Sequence, residues 1–284
     1  MPSLKEIRRR IGSTKDIQKI TRAMQTVAGV RLRRAQEQLF AARPYSEKMK
    51  ELLRHLSAQA DRSAHPLLTE REVKASALVV VTADRGFCGS FNSNVIRRAL
   101  ETYGERDPSP GLICIGRKGA ETLRRQRVTI ISDYMNVFQA LEYSDAMDIA
   151  DQLIDLYVTE QIDRVDVLYN EFKSAGQQNL VLEQLLPVLP EAPEEDPFFT
   201  GYLYEPSQAA LLNDLLPQHF RFQIWRTLLE SNTAEEAARM LAMDSATRNA
   251  GDLIDELTLT ANKLRQSTIT TELMDIVGGA EAIQ

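Results

Sequence analysis

A chain of 284 residues, 43% apolar and with a net charge of −6, can bury a substantial core and offers a nucleic acid no overall positive charge. That average hides an asymmetry: residues 1–50 hold 13 Lys/Arg against 4 Asp/Glu, a balance of +9, which leaves −15 on the other 234 residues. No run of 18 apolar residues occurs and the first residues, Met1 to Arg10, lack the apolar stretch of a secretory signal, so the expectation is an intracellular protein, at most peripheral to a membrane.

The basic arm reads as helix from Ser3 to about Gln59. Ser3 followed by Glu6 is a capping box that starts it. Leu4, Ile7, Ile11, Thr14, Ile17, Ile20, Met24 and Val27 recur at steps of three and four, and Ala28, Leu32, Ala35, Leu39 and Ala42 continue on a shifted line. Arg8, Arg9, Lys19, Arg22 and Arg33 lie off this narrow seam, as on a helix packed by one edge. Pro44 is expected to kink or break it. Residues 60–75 are polar, contain a proline and read as a linker.

The period then changes. Ala77 to Thr82, Gly111 to Ile115, Val128 to Ile131, Asp166 to Phe172 and Leu180 to Leu186 read as strands, and Asn92 to Tyr103, Arg117 to Gln126 and Tyr143 to Gln161 as helices. Met147, Ala150, Ile154 and Val158 mark the inner face of the last helix. Strands alternating with helices predict a largely parallel sheet in an α/β domain. Pro187 to Pro197, with Glu191, Glu194, Glu195 and Asp196, reads as an exposed acidic loop.

From Gln208 to Gln284 the chain is helical again, with Ser207 as N-cap, an early bend at Pro217, and a seam of Ala250, Leu253, Leu257, Ala261 and Leu264. At 1.5 Å per residue this helix is about 115 Å long and needs a long partner. The resulting organisation is an N-terminal helix (1–59), a linker (60–75), a Rossmann-like α/β domain (76–206) and a C-terminal helix (207–284). The two terminal helices pair as a long antiparallel coiled coil flanking the domain.

Catalytic signals are weak. Asp84-Arg-Gly-Phe-Cys-Gly-Ser90 follows a strand and opens a helix, where a mononucleotide-binding turn would sit, but it lacks the spacing and the Lys of a phosphate loop. Gly86 and Gly89 serve a tight turn and close helix–sheet packing better. The Asp84–Ser90 turn remains the basis of an alternative reading, a nucleotide-binding α/β enzyme. Gly116-Arg-Lys-Gly119 is a weaker phosphate cradle still. His55, His65 and His219 stand in separate segments without ligand spacing, and Cys88 and Cys114 suit reduced core thiols. A basic coiled-coil nucleic-acid module is a third reading, but the arm has no interleaved aromatics for base stacking.

The last stretch is the most specific. Ile269-Thr270-x-Glu272-x-x-Asp275-x-x-x-Gly279-Ala280-x-Ala282 resembles the signature of the gamma subunits of F-type ATP synthases. Ile7-Arg8, Gln18 to Met24 and Val27-Ala28 look like that family's opening helix, Asp84-Arg-Gly86-x-Cys-Gly89 and Tyr202 to Pro206 are similar to its domain motifs, and Ala237 to Met240 to its second helix. The resemblance runs end to end and in order.

It implies a non-catalytic rotor shaft whose partners are the alpha and beta subunits of a hexamer, the epsilon subunit and the c-ring, with no cofactor and no nucleic acid. It implies that Arg265 and Gln266 meet a beta-subunit catch loop supported by Thr270 and Glu272, and that Tyr202 and Glu205 lie at the c-ring contact. Arg8, Arg9, Lys19, Arg22 and Arg33 would form a basic sleeve facing acidic loops, and Met274 to Ile283 an apolar bearing. The location implied is peripheral, on the cytoplasmic face of a bacterial plasma membrane. Three departures stand out. Arg22 replaces a usual Lys; Gly29-Val-Arg31 follows Ala28, softening the helix by about 1 kcal/mol relative to Ala; and no inserted cysteine pair is present for thiol control.

Overall fold

The computed structural model describes residues 3–58, 65–189 and 207–281. Five helices and five strands follow in the order α1 (Leu4–Ala58), β1 (Ser76–Val81), α2 (Phe91–Glu105), β2 (Gly111–Ile115), α3 (Arg117–Arg125), β3 (Ile130–Tyr134), α4 (Tyr143–Val158), β4 (Arg164–Ser174), β5 (Gln177–Leu186) and α5 (Gln208–Glu281). The chain divides into two compact units, Val30–Arg239 and the pair Met1–Gly29 with Met240–Gln284.

In Val30–Arg239 the strands form one sheet in the order β3-β2-β1-β4-β5. β1 pairs in parallel with β2 and β4, β2 in parallel with β3, and β4 with β5 antiparallel. The period-two alternation of a strand sends Ala77, Val79 and Val81 to one face and Leu78 and Val80 to the other. On the first face they meet Ile149, Leu153 and Tyr157 of α4, Met49, Leu53 and Leu56 of α1, and Leu212, Leu216, Phe220, Ile224 and Leu228 of α5. On the second, Val95 and Ala99 of α2 and Ala120 and Leu123 of α3 complete a smaller core. Each fully buried aliphatic side chain contributes about 1.5–3 kcal/mol, so both faces favour the strand assignment strongly. The parallel sheet with an antiparallel edge is the architecture expected from the alternating pattern.

Several local expectations change. Pro44 lies inside uninterrupted helix and does not break α1; Pro217 likewise lies within α5. Packing on either side, Leu39 and Met49 in α1 and Leu216 and Phe220 in α5, outweighs the lost backbone bond. The inner face of α4 is Ala146, Ile149, Ala150, Leu153 and Tyr157, while Val158 is exposed. The third strand is shifted along the chain from its apolar run: it begins at Ile130, and its pairing with β2 extends through the polar Ser132 and Asp133 to Tyr134. Residues 65–75 are docked on the domain: Leu67 and Leu68 are buried, the carbonyl of Leu67 accepts from the Val188 amide at 2.8 Å, and the Asp163 carboxylate accepts from the amides of Lys74 and Ala75 at 2.9 and 3.1 Å.

The glycine roles also move. Gly89 has φ +60° and so serves the turn, but a Cβ on Gly86 would meet open space. Close packing falls on Gly116 and Gly119, where a side chain would run into Thr82. The Thr82 hydroxyl donates to the carbonyl of Ile115 at 3.1 Å and accepts from the amide of Gly119 at 2.9 Å. The glycines of Gly116-Arg-Lys-Gly119 bring α3 down onto β1.

In the other unit α1 and α5 run antiparallel. The Thr247 hydroxyl donates to Thr21 at 2.8 Å, Gln18 donates to the Thr247 carbonyl at 3.4 Å, and Gln25 donates to Asp244 at 3.0 Å. Ser3 and Glu6 close the capping box at 2.8 and 3.3 Å, and in the first unit the Ser207 hydroxyl accepts from the Ala210 amide at 3.2 Å. The buried line of α1 keeps a strict seven-residue step, Ile7, Thr14, Thr21 and Ala28, with Ile11, Gln18 and Gln25 half-buried beside it. Ile17, Ile20 and Val27, expected on the seam, are 54%, 59% and 53% exposed. The seam is polar here, and the larger apolar residues occupy a different face. In α5 the seam is Met243, Thr247, Ala250, Ile254, Leu257, Ala261 and Leu264; Leu253 lies outside it.

Candidate functional site

The Asp84–Ser90 turn lies at the end of β1, beside the point where the chain, having built β2 and β3 on one side, crosses to β4 on the other. Ligands of open α/β sheets enter at such points. Here the position is filled from within. The buried Asp84 carboxylate accepts from the amides of Arg117 at 3.0 Å, Asn136 at 2.8 Å and Phe138 at 3.2 Å, tying the ends of β1, β2 and β3 together. The Arg239 guanidinium of α5 donates to the Gly86 carbonyl and to Glu235, and its Nε lies 3.7 Å from Glu236. Glu236 also faces Arg31 of α1 at 3.5 Å. Asn92 accepts from the Ala83 amide at 2.8 Å and donates to the Arg85 carbonyl at 3.3 Å. Asp84, Asn92 and Arg239, the polar side chains that hold the turn, are committed to the fold.

This turn carries a conformational cost. Phe87 has φ +63° and is 74% exposed. A non-glycine residue in the left-handed region costs on the order of 1–3 kcal/mol and persists only where its surroundings fix it.

Burial sets the electrostatics of the cluster. It pushes Glu235 up to about 7, outweighing the pull of Arg239, and raises Glu230 and Glu236 as well. A carboxyl raised in the folded state contributes stability fully below the unfolded value of 4.5 and loses it as pH climbs to about 7. Unfolding in urea should therefore show wild-type stability falling relative to Glu235→Gln between pH 4.5 and 7, by on the order of 3 kcal/mol. Parallel pH profiles would refute this origin of the shift. Burial moves His219 the opposite way, to about 4. The free, buried thiols of Cys88 and Cys114 are both raised, Cys114 to about 12, by the same desolvation. His65 accepts from the Leu67 amide at 3.1 Å, a local cap. No cluster of His, Cys, Asp and Glu suited to a metal occurs among the described residues.

The second candidate surface is the end of α5. Facing residues in the helix pair have numbers that sum to 268 or 269 (Thr21 with Thr247, Gln25 with Asp244, Gly29 with Met240), so Leu4, the first residue of α1, faces residue 264 or 265. Beyond that point α5 continues without an opposing helix among the described residues. Arg265, Gln266, Thr270 and Glu272 are all exposed, and the Thr270 hydroxyl donates to the Gln266 carbonyl one turn back at 2.9 Å. Ile269, Leu273, Met274 and Ile276 are 49–67% exposed on the same stretch. So much uncovered apolar surface marks an interaction site.

Of the basic arm, Arg8, Arg9, Lys19, Arg22 and Arg33 are all exposed. Lys19 faces Asp16 at 3.5 Å and Arg33 faces Glu37 at 3.2 Å, solvent-exposed pairs of little energetic weight. Arg8, Arg9 and Arg22 have no ion-pair partner among the described residues. Tyr202 and Glu205 lie outside the described residues. The apolar face of Ile17, Ile20 and Val27 is exposed and not part of the seam. Its signal is present in the spacing, but the polar residues of the seam conceal which face is free.

These observations define a class: an interaction protein built of paired long helices and an α/β domain whose switch-point turn is occupied by its own helix. Among the described residues no helix is long and apolar enough to cross a membrane. The sequence profile described as ATP synthase matches residues 3–283. The ATP synthase gamma chains of Chlorobaculum tepidum and a Geobacter species are 46% and 47% identical, over 100% of this chain and 100% of each relative. A chain in the central stalk and c-ring structure of Tetrahymena thermophila mitochondrial ATP synthase is 25% identical with a TM-score of 0.63, covering 80% of this chain and 99% of that one. A chain of the Euglena gracilis mitochondrial ATP synthase shares the fold at a TM-score of 0.73 and 22% identity, covering 99% of this chain and 94% of that one. The chain belongs to the ATP synthase gamma-chain family. It is a non-catalytic subunit of an ATP synthase, peripheral to the membrane.

Proposed function

We propose that this chain is the rotor shaft that links ion flow through a membrane-embedded c-ring to ATP synthesis or hydrolysis in a hexamer of alpha and beta subunits. The helices of residues 1–59 and 207–284 form the shaft, and the α/β domain of residues 76–206 meets the c-ring and epsilon. Rotation presents different faces of an asymmetric shaft to three beta subunits in turn. Each face favours an open or a closed state by differential contact, and this couples binding changes to rotation.

Membership of the family over the full chain carries this reading, and the uncovered end of α5 supports it. In this reading Arg265 and Gln266 engage a beta-subunit catch loop, with Thr270 and Glu272 behind them. Arg8, Arg9, Lys19, Arg22 and Arg33 face acidic loops, and the free apolar face of Ile17, Ile20 and Val27 packs on the hexamer wall. Met274 to Ile283 turn in an apolar bearing, and Tyr202 and Glu205 contact the c-ring. The domain sits at the cytoplasmic face of a bacterial plasma membrane.

Co-expression with its alpha and beta subunits tests the assignment. A stable complex with three copies of each around one copy of this chain is expected, and the chain purified alone should not hydrolyse ATP. Turnover by the isolated chain, or failure to enter the complex, would refute the reading.

A further inference from the structure

β1 pairs with β4 only as far as Leu168, so beyond that point residues 169–174 and 177–181 form a ribbon of two strands with no third strand beside β4 among the described residues. A two-stranded ribbon is marginally stable by itself. Its register also shifts between Phe172 and Ser174, a bulge that interrupts the ladder. Yet Tyr169 and Phe172 are buried. Two side chains one turn apart on α5 reach the ribbon. The Phe172 amide donates to the buried Glu230 carboxylate at 3.0 Å, and Glu230 also faces Arg43 of α1 at 3.8 Å. Arg226 donates to Glu183 of β5 at 2.8 Å and lies over the Tyr169 ring, 5.9 Å from its centroid. The Tyr169 hydroxyl donates to the same Glu183 oxygen at 3.1 Å. Positions 226 and 230 share one face of the helix.

The core between the sheet and α5 is otherwise apolar, and apolar contact is non-directional. Charge-assisted hydrogen bonds are directional and strong, so these ties fix where the ribbon sits along α5 and around it. Burial alone would be served better by a leucine at position 230: desolvation penalises the carboxylate there and raises its pKa. We propose that Glu230 and Arg226 are positioning residues that latch the β4–β5 ribbon to α5, so that the α/β domain and the helix turn as one stiff body. The load carried by the latch rests on the rotor-shaft reading; the latch itself does not.

Three variants of the full chain in the assembled complex test it: Glu230→Leu, the neutralised pair Arg226→Met/Glu183→Gln, and Glu230→Gln, which keeps an acceptor oxygen for the Phe172 amide. In the first two, hydrogen exchange of the ribbon amides should rise about tenfold, as loss of a hydrogen bond to a charged group implies, while that of β1 stays unchanged. With the alpha and beta subunits fixed and a probe on α2, the angular variance of the probe during pauses should rise by about 1.5-fold in the first two and stay at the wild-type value in Glu230→Gln. Unchanged ribbon exchange in both would overturn the latch. An even rise across the domain would overturn it equally, by making these residues general packing groups. Raised ribbon exchange with unchanged angular variance would overturn the load-bearing role and leave the latch standing. Failure of the unaltered chain to assemble would count against the rotor-shaft reading, and exchange on the full chain alone would still decide the latch.

Discussion

Replacing Arg265 and Gln266 together by Ala is expected to lower the ATPase rate of the assembled complex at least tenfold and to leave the thermal midpoint of the chain unchanged. Both side chains are exposed where α5 reaches and passes the end of α1, so their removal costs little packing. Within the complex they would supply a guanidinium and an amide to the catch loop. A hydrogen bond to a charged group is worth about 1.5–3 kcal/mol, and 1.4 kcal/mol is already tenfold. Steady-state turnover with all subunits present, alongside a melting curve, checks both halves. Unaltered turnover would sink the assignment of these residues, and a lowered midpoint would show that they serve the fold.

Asp84→Ala is expected to destabilise the α/β domain by about 3–5 kcal/mol, since three amides lose a charged acceptor worth about 1.5–3 kcal/mol each and such losses in one network are less than additive. Its carboxylate is the acceptor for three backbone amides from two segments, those of Arg117, Asn136 and Phe138. Asp84→Asn keeps one side-chain oxygen and should lie between the two. Urea unfolding of the variants measures the difference. A change below about 1 kcal/mol would mean that Asp84 is spare for ligand chemistry, as a nucleotide-binding turn requires, and would revive the enzyme reading.

How much of this was legible in the sequence depends on where each signal lies. β1 and β2 are buried on both faces and therefore read as continuous apolar runs, Ala77 to Val81 and Leu112 to Ile115, and both were placed within a residue. β3 is an edge strand, half of it polar, and its apolar run ends where its pairing is still under way. The terminal helices were plain from their period and caps, but the face they use was not. Around Thr14, Gln18, Thr21 and Gln25 the two helices meet through hydroxyl and amide groups, and the apolar side chains nearby belong to a surface left free. A search for apolar spacing alone finds the free surface and takes it for the seam.

The site divides the same way. The motif names Arg265, Gln266, Thr270 and Glu272, and the fold adds that Arg265 lies at the end of the partner helix and the other three past it. Arg239 and Gly86 stand 153 residues apart, and nothing in either segment announces the other. Long-range polar contacts of this kind leave no periodic trace. The left-handed geometry of Phe87 is invisible in the sequence, where a glycine would suggest it.

The central claim is that this chain turns. With the alpha and beta subunits fixed to a surface and a probe attached to the exposed face of α2, addition of ATP should produce sustained rotation of the probe in one direction, halting in three positions. A probe that stays still while the same complexes hydrolyse ATP would contradict the account.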